Sequence, residues 1–524
     1  MTRRAWWRDA VFYQIYPRSF ADSNGDGVGD LPGIIAHLDH LRGSPASLGV
    51  DAIWLSPFYQ SPMADFGYDV TDHCAVDPLF GTLDDFDRLL TEAHRRGLRM
   101  IVDLVPNHTS DLHPWFRESR SSRTNPKRDW YVWRDAHRDG DAPPNNWLAA
   151  FGGGWPAWTK DLETGAWYLH SFLPSQPDLN WENPAVEAAI HDVMRFWLRR
   201  GVDGFRIDAV HKLGKAPDLR DNHGSFTGAV VGDRGLRFDE DWPTVHGRLA
   251  RMRAVAREFG DRVLVGEVYI LDPERLAAYL RSGRGLDLAH NFSFLRLPWR
   301  GAAFAHAVSA FEGLVGRQGW PAWCLNNHDH SRVATRYASE RAARVAAMLV
   351  LTLRGTPFLY QGEELGLEDG VIPPERVVDV EGRDPERCPI PWVDPAIAGV
   401  GAGFTSGRPG LPLPPDAGVR NVATETADPA SVLALYRHLL AVRTGTPALK
   451  AGAFESISSE GDVFAYRRRL GHESIAVYLN FGSGEVPLRG RGSVLASTLM
   501  AGDPGTVDGS FELGPVSGLV VKEQ

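Results

Sequence analysis

The chain alternates short apolar segments with longer amphipathic ones along most of its 524 residues. The short segments are rich in β-branched and aromatic residues, which is typical of strands, and the longer ones have helical spacing. Eight strands alternating with helices predict an α/β fold, a parallel TIM (β/α)8 barrel. The predicted strands are Val11–Pro17, Ala52–Pro57, Met100–Val105, Gly204–Val210, Val263–Tyr269, Asp287–Phe294, Ala322–Asn326 and Phe358–Tyr360. Predicted helices include Leu83–Arg96, Val186–Arg200, Trp242–Phe259 and Ser339–Leu353.

A doubly wound parallel sheet is the alternative fold for such an alternation. That fold usually carries a glycine-rich dinucleotide turn or a phosphate loop after a strand, and this sequence has neither. The barrel is therefore the favoured interpretation.

Three stretches interrupt the alternation and predict additional structure. Residues 109–175 are rich in Trp, Pro, Gly and Asp and are too long for a simple connection, so they predict an inserted domain after the third strand. Residues 369–420 are rich in Pro and Gly and predict an irregular insertion. From residue 447 onward, short alternating segments predict an all-β C-terminal domain. The expected division is a barrel of residues 1–108 and 176–446, an inserted domain of residues 109–175 and a C-terminal domain of residues 447–524.

Composition excludes several classes of partner. The net charge of −10 argues against binding to nucleic acid or to an anionic membrane, because both require a cationic surface. No apolar run reaches the roughly 18 residues of a membrane span, and the N-terminal segment lacks the apolar core of a signal peptide. Three distant cysteines indicate neither a disulfide framework nor a cysteine metal site. We therefore expect a cytoplasmic protein, either a monomer or a homodimer.

Charged and polar residues cluster where four predicted strands end. Asp103–His108 ends the third strand, Gly204–Asp208 the fourth, Gly266–Tyr269 the fifth and Asn326–Asp329 the seventh. In a TIM barrel these ends converge on one face, where active sites form. Buried carboxylates without partners are costly, so the set indicates either a catalytic site or a structural ion-pair network.

These four segments resemble the four signature regions of the α-amylase superfamily of retaining glycoside hydrolases. Two further segments, Tyr13–Phe20 and Tyr360–Glu364, resemble the family as well and extend the likeness over most of the chain. Gln176–Asn180 and Gly382–Asp384 are most similar to the oligo-1,6-glucosidase and maltase-like α-glucosidase group. The resemblance implies a small carbohydrate as the substrate.

The resemblance also implies the catalytic roles. Asp208 is expected to be the nucleophile that forms a glucosyl-enzyme ester, and Glu267 the acid and base, with a raised pKa. Asp329 is expected to stabilise the charged transition state. Arg206, two residues before Asp208 on the same strand face, is expected to keep Asp208 ionised by lowering its pKa.

Further residues are expected to shape the pocket around one terminal glucose. By resemblance, His108 and His328 bind sugar hydroxyls, and Asp69 pairs with Arg383 to close the pocket at the non-reducing end. Such closure predicts an exo-acting enzyme. Two aromatic residues of the inserted domain, Phe151 and Phe172, are candidate pocket walls, although core packing would explain them equally well.

One residue indicates the linkage. Ala209 follows the nucleophile, and a small residue there resembles enzymes acting on α-1,4 bonds, whereas Val resembles those acting on α-1,6 bonds. In the next residues, Val210-His211-Lys212, the histidine precedes the lysine, which reverses the Lys-His order of many endo-amylases. Neither His211 nor Lys212 is therefore assigned a role.

A loop after the first strand places oxygen-bearing groups at alternate positions. The pattern resembles the first part of an EF-hand, but Gly33 stands where the closing Glu would be. In the family group such a loop binds Ca²⁺ or Mg²⁺ far from the chemistry, so a structural ion is expected; a turn that binds no ion is the alternative. The expected ligands are Asp22, Asn24, Asp26, the carbonyl of Val28, and Asp30.

Three other functions are alternatives to α-glucosidase activity. A transglucosylase or isomerase would use the same nucleophile with a different acceptor. Trehalose-phosphate hydrolysis would need a cationic cluster for the phosphate, and the sequence shows none. A non-enzymatic relative of amino-acid transporters would carry a membrane span and lack the full carboxylate set.

Overall fold

Eight parallel strands form a closed barrel, as the sequence predicts. The structure is a computed structural model that describes residues 4–137, 142–223, 237–281, 285–316, 319–458, 461–499 and 505–524. In chain order the barrel strands, here β1–β8, are Phe12–Ile15, Ala52–Leu55, Arg99–Leu104, Gly204–Ile207, Val263–Gly266, Leu288–Asn291, Ala322–Cys324 and Thr356–Tyr360. Each strand pairs with its neighbour in sequence, and β1 pairs with β8 to close the barrel.

A helix follows each barrel strand before the next strand begins or, after β8, before the C-terminal sheet. These helices, here α1–α8, are Leu31–Leu41, Leu83–Arg95, Pro184–Arg200, Thr244–Arg257, Pro273–Arg281, Gly301–Val315, Glu340–Thr352 and Val432–Gly445. The predicted helices therefore correspond to α2, α3, α4 and α7. Shorter helices are Pro114–Ser121, Val333–Arg336, Pro395–Ala398, Val422–Ala427 and Pro447–Ala451.

Local signals fix several of the helix ends. Thr82 and Asp85 form a reciprocal capping box at the start of α2, which satisfies backbone donors that a helix leaves unpaired. Gly201 ends α3 in the left-handed conformation with a φ of 106°, which favours glycine.

The long connection after β3 contains a small sheet of its own. Its three strands, in spatial order, are Trp133–Arg134, Trp167–Leu169 and Trp158–Lys160. Bridges from His108 to Asp178 and from Tyr131 to Leu179 tie this segment to the barrel face where β3 ends.

The C-terminal region forms one sheet of six strands. Three of them contain the segments Val463–Arg467, Ser474–Tyr478 and Gly518–Val521, whose alternation predicts strands. In spatial order the strands are Ala453–Ser458, Val463–Leu470, Glu473–Asn480, Ser517–Glu523, Val486–Ser497 and Thr506–Leu513. Within the described ranges, no helix has both the length and the apolar character needed to cross a membrane.

The N-terminal face of the barrel is held by a buried carboxylate. Asp203, which precedes β4 and whose side chain is 1% exposed, binds Arg99 at 2.8 Å, Arg262 at 3.1 Å and His94 at 2.8 Å. Its Oδ2 also accepts from the Met100 amide at 3.0 Å. Burial alone would raise the pKa of Asp203, but these partners outweigh it and lower the pKa.

Replacing this carboxylate should destabilise the barrel without changing catalysis. Asp203→Asn removes the negative charge that binds side chains of α2, of β3 and of the residue before β5. The free energy of unfolding should fall by about 1.5–3 kcal/mol. Calorimetry should show a lower melting temperature at neutral pH and a smaller difference from the wild type at pH values below the carboxylate's pKa, where the wild type is itself protonated. The control is Asp508→Asn, whose side chain is 70% exposed. Equal melting temperatures for both variants would contradict this role.

Candidate active site

The carboxyl ends of the barrel strands open into a cavity of about 340 Å³. Of the residues that sequence analysis proposes for the site, Arg206 lies beneath the cavity and Asp69 lies outside its lining. The others line it: His108, Phe151, Phe172, Asp208, Glu267, His328, Asp329 and Arg383.

Arg206 joins three carboxylates beneath the cavity. Its Nη1 lies 2.7 Å from Asp103 Oδ1 and 2.7 Å from Asp208 Oδ1, and its Nη2 lies 2.8 Å from Glu267 Oε2. The strand register explains the cluster, because β3 pairs with β4 so that Asp103 is level with Arg206. Asp208 and Glu267 therefore bind different nitrogens of one guanidinium, which holds the two carboxyl groups beside each other at the base of the cavity.

Burial dominates the ionisation of the pair. It raises the pKa of Asp208 to about 6, although Arg206 lowers it. Arg206 therefore acts in the expected direction, but desolvation exceeds the attraction of the guanidinium, so the net pKa is raised. Burial likewise raises the pKa of Glu267 to about 7, with the charge of Asp208 adding to the rise; this is the direction expected of a catalytic acid.

Asp329 has the opposite electrostatic environment. Its Oδ1 lies 3.1 Å from Arg383 Nη1 and 3.1 Å from Arg387 Nη2. Burial favours a raised pKa, but His328, Arg383 and Arg387 outweigh it and hold the pKa of Asp329 well below its usual range. Because burial lowers the pKa of His328 to about 3, the two guanidinium groups supply this stabilisation at neutral pH.

The predicted pairing of Asp69 with Arg383 is wrong. Asp69 is fully buried, and it accepts hydrogen bonds from the Ser61 hydroxyl at 2.8 Å and from the Ala64 and Asp65 amides at 2.8 and 3.0 Å. It therefore shapes the loop after β2. From this loop it is Asp65 that binds Arg383, with Oδ1 2.6 Å from Nη2, and Arg383 also binds Asp329 and Asp379.

The two predicted histidines line the cavity, and neighbouring groups contact both ring nitrogens of each. His328 is held at both ring nitrogens, by Gln14 at 2.8 Å and by the Tyr68 hydroxyl at 2.8 Å. His108 Nδ1 lies 3.2 Å from Asn107 Nδ2, and its Nε2 lies 3.1 Å from the Tyr68 carbonyl and 3.2 Å from Gln176 Nε2. Burial lowers the pKa of both rings, so they are neutral at neutral pH.

The inserted segment supplies an aromatic wall. The rings of Phe151 and Phe172 lie 5.2 Å apart, and Phe172 packs edge-on against His108 at 5.1 Å. The Arg383 guanidinium lies 4.9 Å from the Phe151 ring centre. Both phenylalanines therefore face the cavity, as one of the two interpretations of the sequence predicts.

Ala209 follows Asp208 in the chain and contacts Glu267. Its amide donates to Glu267 Oε2 at 3.0 Å, and its backbone lies in the left-handed region with φ 42°. A β-branched residue adopts this conformation only with strain, so the backbone itself favours a small side chain here.

Several residues of the cavity were not identified from the sequence. Asp65 and Tyr68 lie in the loop after β2, while Tyr269 and His330 come directly after strand ends that had been recognised. The Tyr269 hydroxyl accepts from Arg296 at 2.6 Å and contacts His330 at 3.1 Å. Adjacency to Glu267 and Asp329 was an available signal for these two, but no comparable pattern identified Asp65 or Arg296.

The loop at residues 22–30 winds around its own side chains. Asp22 Oδ1 accepts from the Asn24 and Gly25 amides, and its Oδ2 accepts from the Gly27 amide at 2.8 Å. Asp30 caps α1 through the Gly33 amide. In the described part of the chain no group of three or more His, Cys, Asp or Glu side chains is arranged to hold a metal. The loop offers hard oxygen donors of mixed kind, which suit Ca²⁺ or Mg²⁺.

Comparisons with known proteins find relatives that match nearly the whole chain. A "Probable alpha-glucosidase" of Rhizobium meliloti is 44% identical, covering 91% of this chain and 89% of that protein. An oligo-1,6-glucosidase of Parageobacillus thermoglucosidasius is 37% identical, covering 91% of each. The structure of an α-glucosyl transfer enzyme matches with a TM-score of 0.91 at 41% identity over 100% of both chains. The trehalulose synthase MutB of Pseudomonas mesoacidophila matches at 0.90 and 35% identity, over 99% of this chain and 100% of that one.

Residues 14–452 match the profile of the α-amylase catalytic domain. This match covers most of the barrel and the segment inserted in it. The chain therefore belongs to the α-amylase family and is a glycoside hydrolase.

Proposed function

We propose that this protein is a retaining, exo-acting α-glucosidase that releases terminal glucose from the non-reducing end of short α-glucosides. The observation that carries the proposal is the contact of Asp208 and Glu267 with one guanidinium, in a cavity closed on one side by Asp65 and Arg383. The α-glucosidase names of the relatives support the same substrate class.

The mechanism follows from the two ionisation states. Ionised Asp208 attacks the anomeric carbon while protonated Glu267 gives its proton to the departing oxygen, which leaves a glucosyl ester on Asp208. Glu267, now ionised, removes a proton from water, and the water oxygen attacks the same carbon and releases Asp208. Asp329 stays ionised throughout and stabilises the positive charge that develops on the sugar ring.

Replacing Asp208 or Glu267 should give glucosyl azides of opposite anomeric configuration when azide is added. In Asp208→Gly, azide takes the place of the nucleophile and converts p-nitrophenyl α-glucoside into β-glucosyl azide. In Glu267→Ala, which should be slowed about 10²–10⁴-fold, azide replaces the activated water and converts 2,4-dinitrophenyl α-glucoside into α-glucosyl azide. Proton NMR of the products distinguishes the two anomers. The same anomer from both variants, or full activity of Asp208→Gly without azide, would contradict the assignments.

The closed end of the cavity supports exo action through Asp65. Asp65→Asn weakens the contact with Arg383 and should lower kcat/KM on terminal α-glucosides by roughly 10- to 100-fold, which corresponds to about 1.5–3 kcal/mol. A 4-deoxyglucoside should react much more slowly than the glucoside with wild-type enzyme, and this difference should shrink in Asp65→Asn.

The matched control is Asp69→Asn, in the same loop but outside the cavity. This variant should retain the discrimination against the 4-deoxyglucoside while its melting temperature falls. If Asp69→Asn lost the discrimination and Asp65→Asn kept it, the original pairing of Asp69 with Arg383 would be restored.

For the linkage we propose α-1,4 bonds, as in short maltooligosaccharides. The support is Ala209, which keeps the leaving-group side of the nucleophile unobstructed and whose backbone conformation disfavours a β-branched residue. Oligo-1,6-glucosidases among the relatives make α-1,6 bonds the alternative. Faster hydrolysis of isomaltose than of maltose would reverse the assignment.

Transfer to an acceptor other than water is the second candidate function. It is favoured by the likeness to an α-glucosyl transfer enzyme and to a trehalulose synthase, which redirect a glucosyl group. Hydrolysis and transfer share the glucosyl-enzyme ester and differ only in the acceptor. Analysis of the products at high substrate concentration therefore distinguishes them, because hydrolysis gives free glucose and transfer gives new glucosides.

We also propose a structural Ca²⁺ or Mg²⁺ in the loop of residues 22–30. Asp22, Asn24 and Asp26 would supply side-chain oxygens, Val28 its carbonyl, and Asp30 would close the set. The loop's Asx turns orient the first three side chains, and the ion would hold the loop to the start of α1. Its contribution is to stability rather than to the reaction.

Chelation should therefore lower the melting temperature and leave the assigned catalytic roles intact. Dialysis against EDTA removes an ion that binds the folded state, and added Ca²⁺ or Mg²⁺ should restore the melting temperature in a saturable way. Asp26→Ala should abolish the response, whereas Asp508→Ala should preserve it. A wild-type melting temperature unaffected by chelation and by both ions would rule the site out.

We propose a cytoplasmic location and a monomeric or homodimeric state. The three cysteines, Cys74, Cys324 and Cys388, are unpaired in the structure, which is consistent with a reducing compartment.

A further inference from the structure

A second cavity, of about 130 Å³, lies on the far side of Arg387 from the active site. Arg387 contacts Asp329 in the first cavity and also lines the second. The other walls include Tyr16, Arg18 and Ser19, which follow β1, and Phe66, which follows β2. A cavity of about 10–15 Å³ is enough to hold one water molecule, so the second cavity has room for a small polyatomic ligand.

Arg18 faces this cavity without a charge partner. Its guanidinium makes no hydrogen bond or ion pair with any residue that the structure describes, and its Nη1 is buried. Its contact is with the face of Phe66, whose ring centre lies 5.0 Å from the guanidinium carbon. A buried donor without an acceptor costs about 1–3 kcal/mol, so a ligand that supplied an acceptor would bind favourably here.

The neighbouring guanidinium, that of Arg387, differs from Arg18 in having carboxylate partners. Arg387 lies 5.7 Å from the Phe66 ring but is occupied by Asp329, by Asp379 and by the His328 carbonyl. The two arginines therefore flank one aromatic ring, and only one of them has carboxylate partners among the described residues. The positive charge of Arg18 is left for a ligand.

Two hydroxyl groups add donors to the same cavity. Ser19 Oγ accepts from Gln361 Nε2 at 2.9 Å, which leaves its own proton free to donate. Burial raises the pKa of Tyr16, so its hydroxyl stays protonated as a donor. Asp384 also lines the cavity, but its Oδ2 accepts from the Val378 and Asp379 amides and it forms no ion pair with Arg18.

We propose that this cavity is a binding site for a small oxyanion of the carboxylate or phosphate class, held by Arg18 and the Ser19 and Tyr16 hydroxyls. A planar guanidinium matches two oxygens of such an anion, and the hydroxyls donate to the remaining ones. The site is separate from the sugar cavity, and it stands whether or not the protein is an α-glucosidase.

Titration of the intact protein with potassium acetate and with potassium phosphate tests the site. Ionic strength is held constant with potassium chloride, and both the melting temperature and the heat of binding are measured. At least one oxyanion should stabilise the wild type in a saturable way, with a dissociation constant in the range of about 1 mM. Saturation by acetate alone identifies a carboxylate site, and saturation by phosphate alone identifies a phosphate site.

Three variants distinguish the site from a general salt effect. Arg18→Met should lose saturable binding, Ser19→Ala should weaken it several-fold, and Arg491→Met, which removes an exposed arginine, should leave it unchanged. The proposal is overturned if the wild type shows no saturable binding, if chloride alone has the same effect, or if Arg18→Met binds as the wild type does. Glycerol is titrated as an uncharged ligand of similar size, and saturable binding of glycerol but of neither anion would overturn the proposal as well. Should Arg18→Met fail to fold, Ser19→Ala and direct calorimetry of the wild type decide the question.

Discussion

The active site depends on one buried guanidinium that serves three carboxylates. Arg206 contacts Asp103, Asp208 and Glu267 from beneath the cavity, and it is itself 1% exposed. One positive charge only partly offsets the burial of three carboxylates, so the pKa of each is raised, and the last proton of the cluster stays on the group with the highest pKa. Burial raises the pKa of Glu267 to about 7 and that of Asp208 to about 6, which leaves the proton on Glu267. The surroundings thereby give Glu267, the proposed acid, a higher pKa than Asp208, the proposed nucleophile.

Asp329, in the same cavity, has a lowered pKa instead of a raised one. Asp329 lies beside Arg383 and Arg387, and their charges overcome the effect of burial. One end of the cavity is therefore short of positive charge and the other has two guanidinium groups. A reaction that needs one proton donor and two anionic groups obtains them from this uneven distribution of arginines.

The sequence predicts those parts of the structure that depend on short-range patterns. The barrel strands are recognisable because each is a compact apolar run, and the catalytic groups because they follow those runs directly, as Asp208 and Glu267 do. The partner of Arg383 was not predictable in the same way. Asp65 and Asp69 lie in one loop, and only the turn formed by the Ser61 hydroxyl and two amides directs Asp69 away from the cavity. The net pKa of Asp208 also depends on burial, which the neighbouring Arg206 does not reveal.

Titration of the carboxyl groups themselves tests the central role of the Arg206 cluster most directly. Carbon-13 NMR of labelled Asp and Glu, with Asp208→Asn and Glu267→Gln used for assignment, should show the pair titrating with apparent pKa values of about 6 and about 7. In Asp208→Asn the Glu267 carboxyl should titrate at a lower pH, because a negative charge beside it has been removed. Titration of both groups near 4, unchanged between wild type and Asp208→Asn, would contradict the account.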